Sequence, residues 1–367
     1  MPRYLTFSNR HNARALAVGL QRLGHRLETL SDRHGWVRPA SGEPQPGDVL
    51  FFTDERSLKT YVGEADKYVF LPRALDGRLL DDKLEWARAV TALGEVTVPF
   101  WDLPGAGPAT APELPVYLKA RHSWVGARNL PRGYVCRTAA DVTSALDQLA
   151  SAGWERSQFF WQRLIAGPVS NCYSVCGFFD ATDPERSVMV VSRKVLSDGR
   201  TVMSCGALVE TVPDPAELLP RSARLLQAFS FTGPFELEYL RDSDSGLYYL
   251  LELNPRFWMQ HGLFIDGYDN VLVSRYLGIE TPAFPKGVPF RPLVWINTVD
   301  LLSRAFTMLS SDAHRRRVFL DVWRRQRAGQ TRVVWSPGLF DAVRAVVSER
   351  ARATGVWLRR WFAVSSP

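Results

Sequence analysis

Glu238, Glu252 and Asn254 are spaced so that their side chains can converge, with Arg256 just beyond. The chain reads Gly233-Pro-Phe-Glu-Leu-Glu-Tyr-Leu, then a polar turn from Arg241 to Gly246, then Leu247-Tyr-Tyr-Leu-Leu-Glu-Leu-Asn-Pro-Arg256. Both flanks alternate with a period of two, as strands do. Phe235, Leu237 and Tyr239 take one face and Glu236 and Glu238 the other; Leu251 and Leu253 oppose Glu252 and Asn254. Asp242, Ser243, Asp244, Ser245 and Gly246 are turn formers, so the flanks are expected to pair as a hairpin. Pairing then sets Glu238, Glu252 and Asn254 on one face, with Arg256 just beyond. Two readings fit: a solvated acidic face, or an oxygen-only site for a hard ion such as Mg²⁺ that shares its other ligands with nucleotide phosphates.

A second candidate lies upstream. Pro115-Val-Tyr-Leu-Lys-Ala-Arg121 reads as a strand ending in basic residues, followed by the loop His122-Ser-Trp-Val-Gly126. A lysine on a strand before a loop is a strong point charge for phosphate, and loop amides add donors. Lys119 is therefore a phosphate-binding candidate, and His122 reads as a loop surface residue.

Phe235-Glu-Leu-Glu-Tyr-Leu240 with Leu251-Glu-Leu-Asn-Pro-Arg-Phe-Trp258 resembles the magnesium hairpin of the ATP-grasp superfamily, in particular its carboxylate–amine ligases similar to the large chain of carbamoyl-phosphate synthetase. The resemblance implies that Glu238, Glu252 and Asn254 hold Mg²⁺ (Mn²⁺ being an alternative) on ATP, and that Arg256 contacts phosphate or an acyl phosphate. It implies phosphate contacts for Lys119 and for Lys83, which follows Asp82 at a helix start. Gln158-Phe-Phe-Trp-Gln-Arg-Leu-Ile165 then resembles the hinge between the two lobes. There Gln162 and the backbone of Leu164 and Ile165 would meet the nucleoside, although Arg163 stands where Glu or Lys is common. In Ser192-Arg-Lys194 the period of two puts Lys194 on the face of Ser192, and the resemblance turns it toward the γ-phosphate. The loop at His122 departs from the Gly-rich form the family uses over ATP.

The elements that must position these residues follow in order. Tyr4–Phe7, Leu27–Leu30, Asp48–Thr53 and Tyr68–Leu71 read as strands, with a helix over Asn12–Leu23, giving a small α/β unit of parallel type without a Gly-x-Gly-x-x-Gly turn. Further helices are expected over 79–93, 139–152, 218–229 and 267–277, and a strand pair over Asn171–Asp180 and Ser187–Ser197. The expected fold is α/β: an N-terminal Rossmann-like pre-ATP-grasp domain (1–78), a first ATP-grasp lobe (79–165), a second lobe carrying the hairpin (166–281) and a basic, mainly helical C-terminal extension (282–367). Arg10, Arg256 and the Trp258 region are where substrate contacts are to be sought; His261 reads as packing.

The chain has 367 residues and a net charge of +7. From Phe284 to Pro367 there are 15 Lys/Arg against 5 Asp/Glu, a local +10, so the remainder sums to −3. The basic surplus belongs to the tail, where Trp295, Trp323, Trp335, Trp357 and Trp361 stand among arginines. A stripe over Leu339–Val347 and the segment Val356–Phe362 suit packing on the body or a second subunit, as in a homodimer, or peripheral contact with an anionic membrane. No nucleic-acid motif occurs. Cys136, Cys172, Cys176 and Cys205 lack metal spacing and read as free thiols, the start lacks a signal-peptide core, and no apolar run is long enough for a bilayer; a cytoplasmic protein is expected. The function implied is an ADP-forming ligase that activates a small carboxylic acid as an acyl phosphate and joins it to an amine, both amino acids or their derivatives. A different acceptor, such as bicarbonate or a thiol, a nucleotide-binding regulator and a membrane-associated scaffold are the alternatives.

Overall fold

The computed structural model describes residues 2–8, 11–31, 37–73, 76, 80–105, 112–126, 128–197, 206–280, 292–303 and 313–336. Arg10, Cys205 and the tail segments over 339–347 and 356–362 lie outside the described residues.

The N-terminal unit comprises β1 (Tyr4–Thr6), α1 (His11–Arg22), β2 (Leu27–Thr29), β3 (Arg38–Pro39), β4 (Val49–Phe51) and α2 (Glu55–Tyr61). Its strands form a wholly parallel sheet in the order β3-β2-β1-β4. Asp54 starts α2 by accepting the Ser57 N–H at 2.8 Å. The strand expected over 68–71 is reduced to a single bridge, Val49 to Val69. Pro72 has no N–H with which to continue the pairing.

The next unit holds α3 (Lys83–Ala92), β5 (Phe100–Asp102), β6 (Val116–Ala120), β7 (Trp124–Val125), β8 (Arg128–Asn129), β9 (Gly133–Cys136), α4 (Ala139–Ser151) and β10 (Phe159–Arg163). The order β5-β10-β6-β9 is antiparallel throughout. Thr138 and Asp141 close the start of α4 as a reciprocal capping box. The buried stripe Val142, Ala145 and Leu149 then packs with Leu118, Phe159 and Trp161.

The largest sheet is built from β11 (Cys172–Asp180), β12 (Val188–Ser197), β13 (Gly206–Val212), β14 (Thr232–Arg241), β15 (Tyr248–Asn254), β16 (Leu293–Asn297) and β17 (Arg332–Ser336), in the order β15-β14-β11-β12-β13-β16-β17. Helices α5 (Leu218–Ala228), α6 (Val271–Tyr276), α7 (Thr298–Ser303) and α8 (Ala313–Arg327) belong to the same part of the chain. The described part of the C-terminal region thus mixes helix with strand and packs on the body. β16 pairs with β13, Trp295 is fully buried, and Arg325 donates to Glu210 at 3.0 Å. Leu16 and Leu20 of α1, Trp258, Leu272 of α6 and Trp295 share one core, which fixes the N-terminal unit against the large sheet. No helix among the described residues is long and apolar enough to cross a membrane.

Candidate active site

The hairpin forms as its alternation requires. β14 and β15 pair antiparallel with Glu236 opposite Asn254 and Glu238 opposite Glu252, and an irregularity follows between Glu238 and Tyr239. Their polar side chains line a cleft of about 430 Å³ that also receives Lys83, Lys119, Lys194 and Arg256. Leu237, Tyr239 and Leu253 pack on the other face with Leu225 and Leu226 of α5. A wider, shallow hollow of about 920 Å³ along α4, lined by Tyr134, Ser144 and Asp147, has no clustered charge and lies away from these residues.

Each carboxylate is matched by a cation or an amide. Lys119 Nζ, almost fully buried on β6, lies 3.3 Å from Glu252 Oε2 on β15; this is a charge contact rather than a directed hydrogen bond. Lys194 Nζ donates to Glu238 Oε2 at 3.5 Å. Asn254 Nδ2 donates to Glu236 Oε2 at 3.2 Å and Glu238 Oε1 at 3.3 Å, and Ser174 Oγ donates to Glu236 Oε1 at 3.1 Å. Arg256 donates to Asn254 Oδ1 at 3.2 Å, to the Phe257 carbonyl at 3.2 Å and, across the cleft, to Glu55 Oε1 at the start of α2.

Burial alone would raise the Glu252 carboxyl, but Lys119, with Lys83 and Lys194 behind it, holds it down to about 2. Burial pulls the Lys119 ammonium below its ordinary value, and Glu252 opposes that pull. Burial and the neighbouring Glu238 charge push Glu236 up to about 8, with Lys194 and Arg256 acting in the opposite sense. The site therefore holds nearly balanced charges that satisfy one another.

Among the described residues, no group of three His, Cys, Asp or Glu side chains is arranged to hold a metal ion. The hairpin set is of another kind: two carboxylates and an amide, an oxygen donor set that suits Mg²⁺ shared with phosphate. Glu238 and Glu252 already face positive charge, so a divalent cation fits the same positions once Asn254 turns its amide oxygen inward.

Lys83 enters the cleft from the start of α3 and donates to Ser123 Oγ at 3.3 Å. Period-two spacing is borne out at 192–194: Lys194 faces the cleft, whereas Arg193 pairs with Glu210. Gln162, Leu164 and Ile165 are not among the residues lining the cleft. Gln162 is buried on β10 between Tyr117 and Phe100, and the Leu164 N–H is bonded to the Pro115 carbonyl at 3.2 Å. Ile165 packs one layer behind, against Val98, Tyr249 and Leu251. Arg163 turns to the hairpin, donating to Tyr249 OH at 2.9 Å and Asp242 Oδ2 at 3.2 Å. His122 is anchored rather than loose, with Nδ1 3.3 Å from Asp81 Oδ2, and Arg56 of α2 covers the Trp124 ring at 5.0 Å. Glu236 and Glu55 are site residues that the sequence reading did not single out. The alternation had put Glu236 beside Glu238, but nothing local to Asp54-Glu55 signals its partner 201 residues away.

By sequence, no protein-family model and no curated protein matches the chain. Solved structures do. The chain is similar to an L-amino acid ligase from Bacillus licheniformis, with 13% identity and a TM-score of 0.56 over 80% of this chain and 78% of that one. It is similar to a carboxyaminoimidazole ribonucleotide synthase from Aspergillus clavatus complexed with ATP, with 14% identity and a TM-score of 0.56 over 85% and 87%. A RimK domain protein ATP-grasp from Sphaerobacter thermophilus matches at 16% identity and a TM-score of 0.52 over 75% and 98%. At these identities the likeness speaks to the fold, and the chain has the ATP-grasp fold.

Proposed function

We propose that this chain is an ATP-dependent, ADP-forming ligase that activates a carboxylate as an acyl phosphate and joins it to an amine. The observation that carries this reading is the convergence of Lys119, Lys194, Glu238, Glu252, Asn254 and Arg256, drawn from both lobes, on one cleft. A free carboxylate is a poor acylating agent, and phosphorylation supplies a leaving group. A substrate carboxylate oxygen attacks the γ-phosphorus, the bond to the β-phosphate oxygen breaks, and ADP leaves. The amine nitrogen then attacks the acyl carbon, phosphate departs, and the nitrogen sheds a proton.

Lys119 and Lys83 hold phosphate oxygens from the first lobe and Lys194 holds the γ-phosphate from the second. Arg256, held by the Phe257 carbonyl, neutralises charge on the transferring group. Glu238, Glu252 and Asn254 would hold Mg²⁺ or Mn²⁺, which when bound neutralises phosphate charge and orients the nucleotide. With phosphate in the cleft, Lys119 and Lys194 would turn from Glu252 and Glu238 to it, leaving both carboxylates available to hold the metal. The 162–165 stretch serves as the hinge in this reading, although Gln162 and Ile165 do not line the cleft and would meet the nucleoside only after a rearrangement. The units that go with it are 1–78, 79–165, 166–281 and 282–367, the last contributing strands to the second lobe.

Bicarbonate is the alternative acid to test beside small carboxylic acids, since one similar structure is a biotin carboxylase domain from Hydrogenobacter thermophilus in complex with MgADP and bicarbonate. The test is ADP and phosphate release from Mg·ATP, challenged with pools of amino acids, small carboxylic acids and bicarbonate, each with and without amines. ADP release that requires one acid and one amine together is expected. Failure of every pool, with Mg·ATP still bound, would overturn the ligase reading in favour of a nucleotide-holding role.

A further inference from the structure

Glu55 and Arg256 form an ion pair that joins the N-terminal unit to the residues just beyond the hairpin, inside the same cleft. The backbone holds the two segments together: the Phe257 N–H donates to the Phe52 carbonyl at 3.0 Å, seating residues 52–55 of the N-terminal unit against residues 254–257. Glu55 and Arg256 are both about four-fifths buried, and both line the cleft. Between these segments Thr53, 7% exposed, also lines the cleft, and its Oγ1 has no hydrogen-bond partner. The Arg256 Nε is likewise buried and unpartnered. Asp54 next to them is occupied, since it accepts from Ser57 N and Ser57 Oγ.

We propose that Thr53, Glu55 and Arg256 form the subsite for an α-amino acid bound as a zwitterion, its carboxylate on Arg256 and Thr53 and its ammonium on Glu55. This rests on the ligase reading of the same cleft and names the class of its acid substrate. Charge accounting is the reason. A carboxylate that reaches Arg256 shares the guanidinium with Glu55 or displaces it, and a plain acid brings no positive charge to match the second carboxylate. Leaving such a charge unpaired is strongly unfavourable, so plain acids are disfavoured. A zwitterion replaces one internal ion pair with two pairs to the ligand and leaves no charge unmatched. The unpartnered Thr53 hydroxyl gains an acceptor in the same exchange.

Calorimetry of the full chain with Mg·AMP-PNP present tests this, using L-amino acids grouped by side chain and their N-acetylated and des-amino counterparts. Loss of a charge-assisted contact corresponds to about 10- to 100-fold in affinity. The expected result is that at least one free amino acid binds that much more tightly than its N-acetyl and des-amino counterparts. Glu55→Gln is expected to shrink the preference to under about threefold. Thr53→Val is expected to weaken free and N-acetylated forms alike, because both keep the carboxylate. Equal or tighter binding of the N-acetyl or des-amino acids by the native chain overturns the proposal, and so does the absence of binding by any amino acid. The ligase reading is judged separately: ADP release driven by a non-amino carboxylate would uphold it while refuting this subsite.

Discussion

Replacing Glu252 with Gln removes the charge that Lys119 is buried against. The two atoms are 3.3 Å apart, and unit charges at that distance attract by about 5 kcal/mol at an effective dielectric of about 20. The amide oxygen of Gln retains part of that attraction, so Glu252→Gln is expected to cost about 3 kcal/mol, in the range for breaking a buried pair. Lys119→Met should cost less, about 1–2 kcal/mol, because Glu252 keeps the fields of Lys83 and Lys194. Removing both charges leaves neither group uncompensated, so the double variant should lie within about 1 kcal/mol of the native chain. The cycle then returns a coupling of about 3–6 kcal/mol, the sum of the two single costs less that of the double variant. Urea denaturation at fixed pH gives all four stabilities, and titration with Mg·AMP-PNP runs on the same samples. The double variant should recover its stability and still bind nucleotide at least about tenfold more weakly, because both a phosphate ligand and a metal ligand are gone. Strictly additive stabilities, or a double variant that binds Mg·AMP-PNP like the native chain, would refute the reasoning.

Two further perturbations bear on how the cleft is held. Arg163→Ala loses the bonds to Asp242 and Tyr249 and the guanidinium over the Tyr249 ring, and should destabilise by about 2 kcal/mol; Arg163→Lys should recover little, since an ammonium cannot replace the flat fork. A change below about 0.5 kcal/mol in urea denaturation would count against that strap. Burial would raise Asp81, but its contacts with His122 and Lys59 hold its carboxyl down to about 2 against an ordinary 3.8. Because the folded value is the lower one, the stabilisation is complete above about pH 4 and is lost as the pH falls toward 2; with water around the pair it is worth about 1 kcal/mol. Asp81→Asn should therefore be less stable than the native chain at pH 6 and indistinguishable at pH 2, and a constant difference across that range would contradict the assignment.

The hairpin was legible because alternation, turn residues and short-range pairing all act locally. Its strands at Thr232–Arg241 and Tyr248–Asn254 and the facing of Glu238, Glu252 and Asn254 follow from a period of two alone. Lys194 was placed by the same rule. Gly206–Val212 escaped because its apolar run has no alternation, being buried on both faces between β12 and β16. Leu293–Asn297 and Arg332–Ser336 were hidden by the arginines around them, although Trp295 lies in the core. The 162–165 stretch was less legible still. The Leu164 N–H goes to Pro115, a pairing set by which strands become neighbours rather than by the sequence near 164. Glu55 is the extreme case, since its partnership with Arg256 depends on the N-terminal sheet docking on the second lobe.

We propose that Mg·ATP lies between Lys119, Lys194 and the hairpin, and a crystal structure of the full chain with Mg·AMP-PNP is the decisive measurement. Metal density on Glu238 and Glu252, phosphate oxygens on Lys119 and Lys194, and both lysines withdrawn from their present carboxylates are expected. Nucleotide bound elsewhere, or the Lys119–Glu252 pair intact beneath it, would rule that placement out.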